Sequence, residues 1–220
     1  MRLKYLPLDS RLYRYLCQQR TGARDPVLQA LQRETAALGR QVSKMQISPD
    51  QGSLLTLLVA ALEVRAALEV GTFTGYSSIC IARGLRPGGR LLCLDQSPEW
   101  TQVARQYWAR AGVANRIELR LGPAIPALQK LGRGARFDFA FIDAQKTEYD
   151  TYYELVLPHV RRNGVMVFDN MLWGGRLGRG PLRDPAGRAI DRLNRKLSRD
   201  PRVQSVLVSV ADGLQVCRKK

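Results

Sequence analysis

From Arg65 onward the hydrophobic pattern switches between two periods. Short apolar runs stand at "AALEVG", "RLLCLD", "RIELRLG", "FDFAFID" and "GVMVFD". Runs this short predict strands buried on both faces of a parallel sheet. Between them lie "YSSICIARGL", "PEWTQVARQYWARAG", "AIPALQKLG" and "TEYDTYYELVLPHVRR", each with helical spacing. The tail adds a helix, "PAGRAIDRLNRKLSRD", then "RVQSVLVSV" and "GLQVCRK", joined by the turn signal Ala211-Asp212-Gly213. Alternating strands and helices predict an α/β fold. Its sheet is mostly parallel, covered by helices on both faces, with an antiparallel C-terminal hairpin.

Residues 9–64 carry helical spacing instead. "DSRLYRYLCQQR" puts Leu12, Tyr15 and Leu16 on one face. Asp25 followed by Pro26, and Ser48 followed by Pro49, read as N-cap and first-turn proline of two further helices. Val27, Leu28, Leu31 and Leu38 follow the first of these at helical spacing. No linker, repeat or low-complexity stretch divides the chain. The expectation is one domain over residues 1–220, with a helical segment at 1–64 and the α/β core at 65–220. The Gly/Pro/Arg-rich "WGGRLGRGPLRDPAGR" is the expected mobile loop.

Composition narrows the function classes. With 45% hydrophobic and 25% charged residues, the 220-residue chain has the make-up of a soluble globular protein. The longest apolar stretch, "LLTLLVAALEV", is too short to span a bilayer, and the N-terminus has no signal-type apolar run. Cys17, Cys80, Cys93 and Cys217 are scattered, without paired spacing, which fits a reducing cytoplasm. His159 is the single histidine, so a histidine metal site or a Ser-His-Asp triad is poorly supported. Net charge is the outlier at +16, with arginine crowded late in the chain. Such a surface attracts polyanions, but no aromatic-plus-basic nucleic-acid motif accompanies it.

The chemistry lies where strands end. In open α/β sheets, ligands bind beyond the carboxyl ends of the strands. Glu69 and Gly71 close the first strand, and Gly71-x-x-x-Gly75 turns into a helix whose N-terminus offers free N–H groups. Asp95 ends the second strand, where an acid accepts both hydroxyls of a ribose; together these point to a nucleoside ligand. Asp143 and the pair Asp169-Asn170 end two more strands. They supply only oxygen ligands, which suits Mg²⁺, Mn²⁺ or Ca²⁺. Each Asp could instead simply cap the following helix. Lys146 lies three residues past Asp143, in reach of the same crevice, as a general base or as a surface lysine.

"LEVGTFTGYSS", "FIDAQK", "FDNMLWGGR" and "DGLQVC" together resemble the cation-dependent class I O-methyltransferases that use S-adenosylmethionine. That group includes catechol O-methyltransferase, plant caffeoyl-CoA O-methyltransferases and small bacterial relatives. The resemblance runs from about Met45 to the C-terminus. It implies a Rossmann-like seven-stranded sheet with a reversed last hairpin, and a homodimer. It places the cofactor against Glu69, Gly71, Thr72, Ser77 and Asp143, with Asp95 on the ribose. Met45 and Ile47 would line the methionine side, and Ala124 and Gln145 the adenine. Asp143, Asp169 and Asn170 match the metal ligands, and Lys146 the base. The implied substrate is a small aromatic with vicinal hydroxyls, of catechol or caffeoyl type. Two alternatives remain: methylation of 5-hydroxyuridine in tRNA, and a non-catalytic cofactor-binding scaffold. Three positions depart from relatives: Gln145 replaces a frequent Asp, Gly174 replaces a plant Asn, and Val206 falls near the place of an acidic catechol contact.

Overall fold

The computed structural model describes residues 6–132 and 134–220; the first five residues of the expected helical segment, and Arg133, lie outside the described residues. Seven strands form one sheet: β1 (Ala66–Val70), β2 (Arg90–Asp95), β3 (Ile117–Leu121), β4 (Phe137–Ile142), β5 (Val160–Phe168), β6 (Val203–Val208) and β7 (Leu214–Lys219). Their order is β3-β2-β1-β4-β5-β7-β6, and β7 is the one reversed strand, antiparallel to both β5 and β6. This is the expected α/β architecture with a reversed C-terminal hairpin.

Among the described residues eight α-helices surround the sheet: α1 (Ser10–Gln18), α2 (Pro26–Ala37), α3 (Pro49–Ala61), α4 (Tyr76–Gly84), α5 (Pro98–Arg110), α6 (Ala124–Gln129), α7 (Tyr149–Val156) and α8 (Pro185–Leu197). Successive residues of a strand face opposite sides, and here both sides are buried. Ala67, Leu91, Cys93, Phe139, Phe141, Val165 and Val167 join one core cluster with residues of α2, α3, α4 and α5. Leu68, Leu92, Leu94, Ala140, Ile142, Met166 and Phe168 join the other, with residues of α6, α7 and α8. The N-terminal helices α2 and α3 thus belong to the same core as the sheet.

Local signals act as the sequence implies. Asp25 Oδ1 accepts the Leu28 N–H at 2.9 Å, capping α2. Ser48 caps α3, and its N–H donates to Gln51 Oε1 at 3.3 Å. The helix α1 forms as its spacing implies, but the face that carries Leu12, Tyr15 and Leu16 is not buried: Tyr15 is 57% and Leu16 42% exposed, and no residue of α1 is buried. Asp9 caps it, and Tyr13 Oη donates to Asp50 at 2.9 Å, so a polar contact orients this helix. The helix expected through "VRR" stops at Val156, and Val160–Arg162 open β5. Pro158 has no N–H for a helical bond and disfavours helix before it.

Candidate active site

Register brings the acidic residues to one edge. Val70 of β1 pairs with Leu94 of β2 and Ile142 of β4, and Ile142 pairs with Phe168 of β5. The next residue on each strand therefore emerges at the same level: Gly71, Asp95, Asp143 and Asp169. The ladder continues through them, with Asp143 N donating to Val70 O at 2.8 Å and Asp169 N to Ile142 O at 3.1 Å. A cavity of about 1220 Å³ opens over this edge. Of the residues singled out from sequence, Met45, Ile47, Gly71, Thr72, Ser77, Asp95, Ala124, Asp143, Gln145, Lys146, Asp169 and Asn170 all line it. Its volume exceeds that of a usual single-ligand pocket, leaving room for two reactants.

Gly71 is required on two counts. Its φ is +90°, and a Cβ there would lie 2.1 Å from the carbonyl oxygen of Asp143. Asp95 organises the turn that follows. Its Oδ2 accepts from Thr72 N at 2.8 Å and Phe73 N at 2.9 Å, and its Oδ1 from Ser97 N at 2.8 Å. The carboxylate expected on a ribose thus also holds three backbone amides, and about one lone-pair position remains for a ligand.

Glu69 is the exception among the predicted contacts. It is fully buried beneath the turn and does not line the cavity. Its Oε2 accepts from Cys93 Sγ at 3.2 Å, and its Oε1 has no partner. Burial raises its pKa to about 7, opposed by the nearby polar side chains of Ser77, Cys93 and Thr72, which favour the carboxylate. A buried acid with one empty oxygen, next to the buried and unpartnered Thr72 hydroxyl, is suited to a polar or cationic ligand group.

Asp143 and Asp169 stand side by side. Burial, then the charge of Asp143, raise the Asp169 pKa to about 7. Asp169 Oδ1 accepts from Asn170 N at 2.6 Å. Asn170 adopts φ +59°, a left-handed conformation that asparagine tolerates. Lys146 Nζ donates to Asp143 Oδ1 at 2.5 Å and lies 5.1 Å above the ring of Tyr149. Tyr149 in turn donates its hydroxyl to the Asp169 carbonyl at 3.2 Å. Among the described residues no group of three or more His, Cys, Asp and Glu gathers for a metal. The donor set is two carboxylates and the Asn170 amide, an all-oxygen set that fits a hard divalent cation.

Sequence reasoning passed over several lining residues. Gln51 was not singled out; its one local signal is its place three residues after the N-cap Ser48. In the structure it is 1% exposed, lines the cavity, and its amide favours the ionised form of Asp169. Asp212 was read only as part of a turn. Its carboxylate accepts from Gly174 N at 2.6 Å and from Asn170 Nδ2 at 3.4 Å, tying the last hairpin to the loop after β5. Trp100, packed edge-on against Phe73 at 5.0 Å, and Trp173 carried no spacing signal at all.

Residues 18–220 match the family model described as O-methyltransferase. The chain belongs to this family. The match begins well before Met45, so α2 and α3 are part of the O-methyltransferase unit. Caffeoyl-CoA O-methyltransferase of Eucalyptus gunnii is 32% identical over 225 residues, covering 98% of this chain and 90% of that one. Tricin synthase 1 of Oryza sativa subsp. japonica is 37% identical over 188 residues, covering 80% and 75%. The O-methyltransferase from Bacillus cereus, solved in complex with SAH, superposes with a TM-score of 0.86 at 32% identity, covering 94% and 96%. This O-methyltransferase is an enzyme of the class I S-adenosylmethionine-dependent type. No helix among its described residues is long and apolar enough to cross a membrane.

Proposed function

We propose that the enzyme is a divalent-cation-dependent O-methyltransferase acting on a small aromatic with vicinal hydroxyls, of catechol or caffeoyl type. The observation that carries this reading is the pairing of Asp143 with Asp169 at adjacent strand ends, with Asn170 beside them and Lys146 Nζ 2.5 Å from Asp143. The curated relatives, by their names, include a caffeoyl-CoA O-methyltransferase, which supports the acceptor class. The tRNA and scaffold alternatives are not favoured by these comparisons.

Asp143, Asp169 and Asn170 would hold the cation. When bound, Mg²⁺ or a similar ion polarises a chelated hydroxyl and favours its ionisation, and S-adenosylmethionine offers a methyl group on a positive sulfur. The chain's own residues do the rest. The turn at Gly71 and Thr72, with Ser77, Met45 and Ile47, binds and orients the methyl donor. Asp95 meets its ribose, and Ala124 and Gln145 its adenine. Lys146 Nζ, after passing its own proton to solvent and as the neutral amine, takes the proton from the acceptor hydroxyl. That oxygen then gains the methyl group, while the sulfur keeps the bonding electron pair. Fixing the two reactants in line supplies much of the acceleration. The homodimer implied by the resemblance belongs to the same proposal, and light scattering at known concentration tests it.

The deciding experiment is a panel of catechols, caffeoyl thioesters, flavonoids and tRNA, assayed with labelled methyl donor with and without chelator. The expected result is transfer to a vicinal-hydroxyl aromatic that stops with chelator and returns with Mg²⁺. Transfer unaffected by chelator would remove the cation from the proposal. Transfer to tRNA alone would replace the substrate class.

A further inference from the structure

One polar contact joins the N-terminal helical segment to the turn between β1 and α4. Thr35, near the end of α2, and Thr74 are both fully buried, and their hydroxyls lie 2.9 Å apart. Neither side chain lines the cavity. Thr74 sits in a turn with three left-handed residues: Gly71 at φ +90°, Phe73 at +51° and Gly75 at +89°. That conformation is disfavoured for a residue such as Phe73 and persists only where the surroundings hold it.

The holding groups can be named. From the α/β core, Asp95 accepts the Thr72 and Phe73 amides. Ala104 and Trp108 of α5 pack so close to Gly75 that a Cβ would lie 2.8 Å from Ala104 Cβ. From the N-terminal helical segment comes Thr35, and α2 is a firmly anchored support for it. At one end of α2, Asp25 accepts from Arg83 of α4 at 2.6 Å. At the other end, Glu34 accepts from Tyr107 of α5 at 2.7 Å. Leu28 and Leu31 join the core cluster that contains Tyr76 and Ile79 of α4.

We propose that Thr35 is a positioning residue for the methyl donor: through Thr74 it holds the Gly71–Gly75 turn in its binding conformation. The inference rests on reading that turn as the cofactor site. The physical reason is that a buried hydroxyl left without its partner is costly, so removing the Thr35 hydroxyl favours turn conformers that free Thr74. If only a fraction of molecules keeps the competent turn, apparent affinity falls by that fraction. The helical segment at the start of the chain thereby becomes part of cofactor recognition without touching the cofactor.

The test is calorimetric titration of S-adenosylhomocysteine into the full chain and its variants. Thr35→Val, isosteric but without the hydroxyl, should raise Kd about tenfold, and Thr35→Ser should restore it to within about twofold of wild type. Amide exchange across residues 72–78 of the free protein should quicken in Thr35→Val and not in Thr35→Ser. Wild-type affinity in Thr35→Val overturns the proposal. So does equal weakening in Thr35→Ser, which would make the effect one of packing. If Thr35→Val does not fold, Thr35→Ala is read in the same titration, and wild-type affinity there overturns the proposal too. Asp95→Asn separates the two claims. Weakened binding there with unchanged binding in Thr35→Val defeats the Thr35 role alone, while unchanged binding in Asp95→Asn defeats the cofactor-site reading beneath it.

Discussion

Lys146 Nζ lies 2.5 Å from Asp143 Oδ1, and both side chains are largely shielded from solvent at 17% and 13% exposure. The pair follows from local geometry. A short 3-10 turn at Lys146–Glu148 begins three residues after Asp143 and folds the lysine back over the carboxylate. The amine that the proposed chemistry uses for a proton is thus delivered by the strand that supplies an acid. Lys146→Ala should lower kcat by about 10²-fold or more, the usual contribution of a general base. Affinity for S-adenosylhomocysteine should stay near wild type. A variant with wild-type kcat removes Lys146 from the chemistry.

Asp169 is buried at 4% exposure, at the end of a strand in the centre of the core. Asp169→Ala removes a carboxylate whose Oδ1 accepts from Asn170 N, so two of the three proposed ligands are disturbed together. Turnover should be abolished, binding of a divalent cation measured by calorimetry should be lost, and cofactor binding should be largely kept. Cation binding that survives unchanged would assign the ion elsewhere.

Gly71 has no spare room for a side chain. Gly71→Ala meets a left-handed φ of +90° and a backbone oxygen 2.1 Å from the new Cβ. The conformational part alone costs about 1–2 kcal/mol, and the clash adds to it. Chemical denaturation should show a loss of at least about 2 kcal/mol, with cofactor binding undetectable. Wild-type stability would mean that the turn can be rebuilt.

Glu69 gives a pH dependence with a definite sign. Its folded pKa is raised from 4.5 to about 7, with burial as the main cause. The folded state therefore holds a proton that the unfolded state has released between those values. The stability this contributes is present below about pH 4.5 and is lost as pH rises through about 7. In the cofactor-free protein, the melting temperature of Glu69→Gln relative to wild type should rise across that window and level off above it. A difference that is flat with pH would contradict a raised pKa.

Asp212 anchors the loop after β5 through Gly174 N at 2.6 Å and Asn170 Nδ2 at 3.4 Å. Asp212→Ala should cost about 1.5–3 kcal/mol of stability, the scale of a lost hydrogen bond to a charged group. It should also reduce kcat/KM for the acceptor several-fold while leaving cofactor affinity unchanged. Equal weakening of both ligands would point to a wider collapse of the cavity.

Much of this molecule was legible in one dimension. Strands such as Phe139–Ile142 and Val165–Phe168 announce themselves because both faces are buried, so no polar residue interrupts the run. Asp25-Pro26 and Ser48-Pro49 mark helix starts because capping and proline geometry are local. The strand-end acids were legible for the same reason, since a parallel α/β sheet sends every such residue to one edge. Other features were not. Tyr15 and Leu16 carry a helical spacing that predicts burial, yet they face solvent, because spacing cannot say which neighbour will arrive. Gln51 and Asp212 look like a cap and a turn residue, and only the packing of α3 and of the last hairpin brings them to Asp169 and Asn170. Thr35 and Thr74 are 39 positions apart, two unremarkable threonines whose hydroxyls meet because α2 docks on α4 and α5. Local interactions are written in adjacent residues, and the chain therefore determined its elements, their order and the acids at their ends. Partnership between distant side chains depends on how those elements pack, and that only the tertiary structure decided.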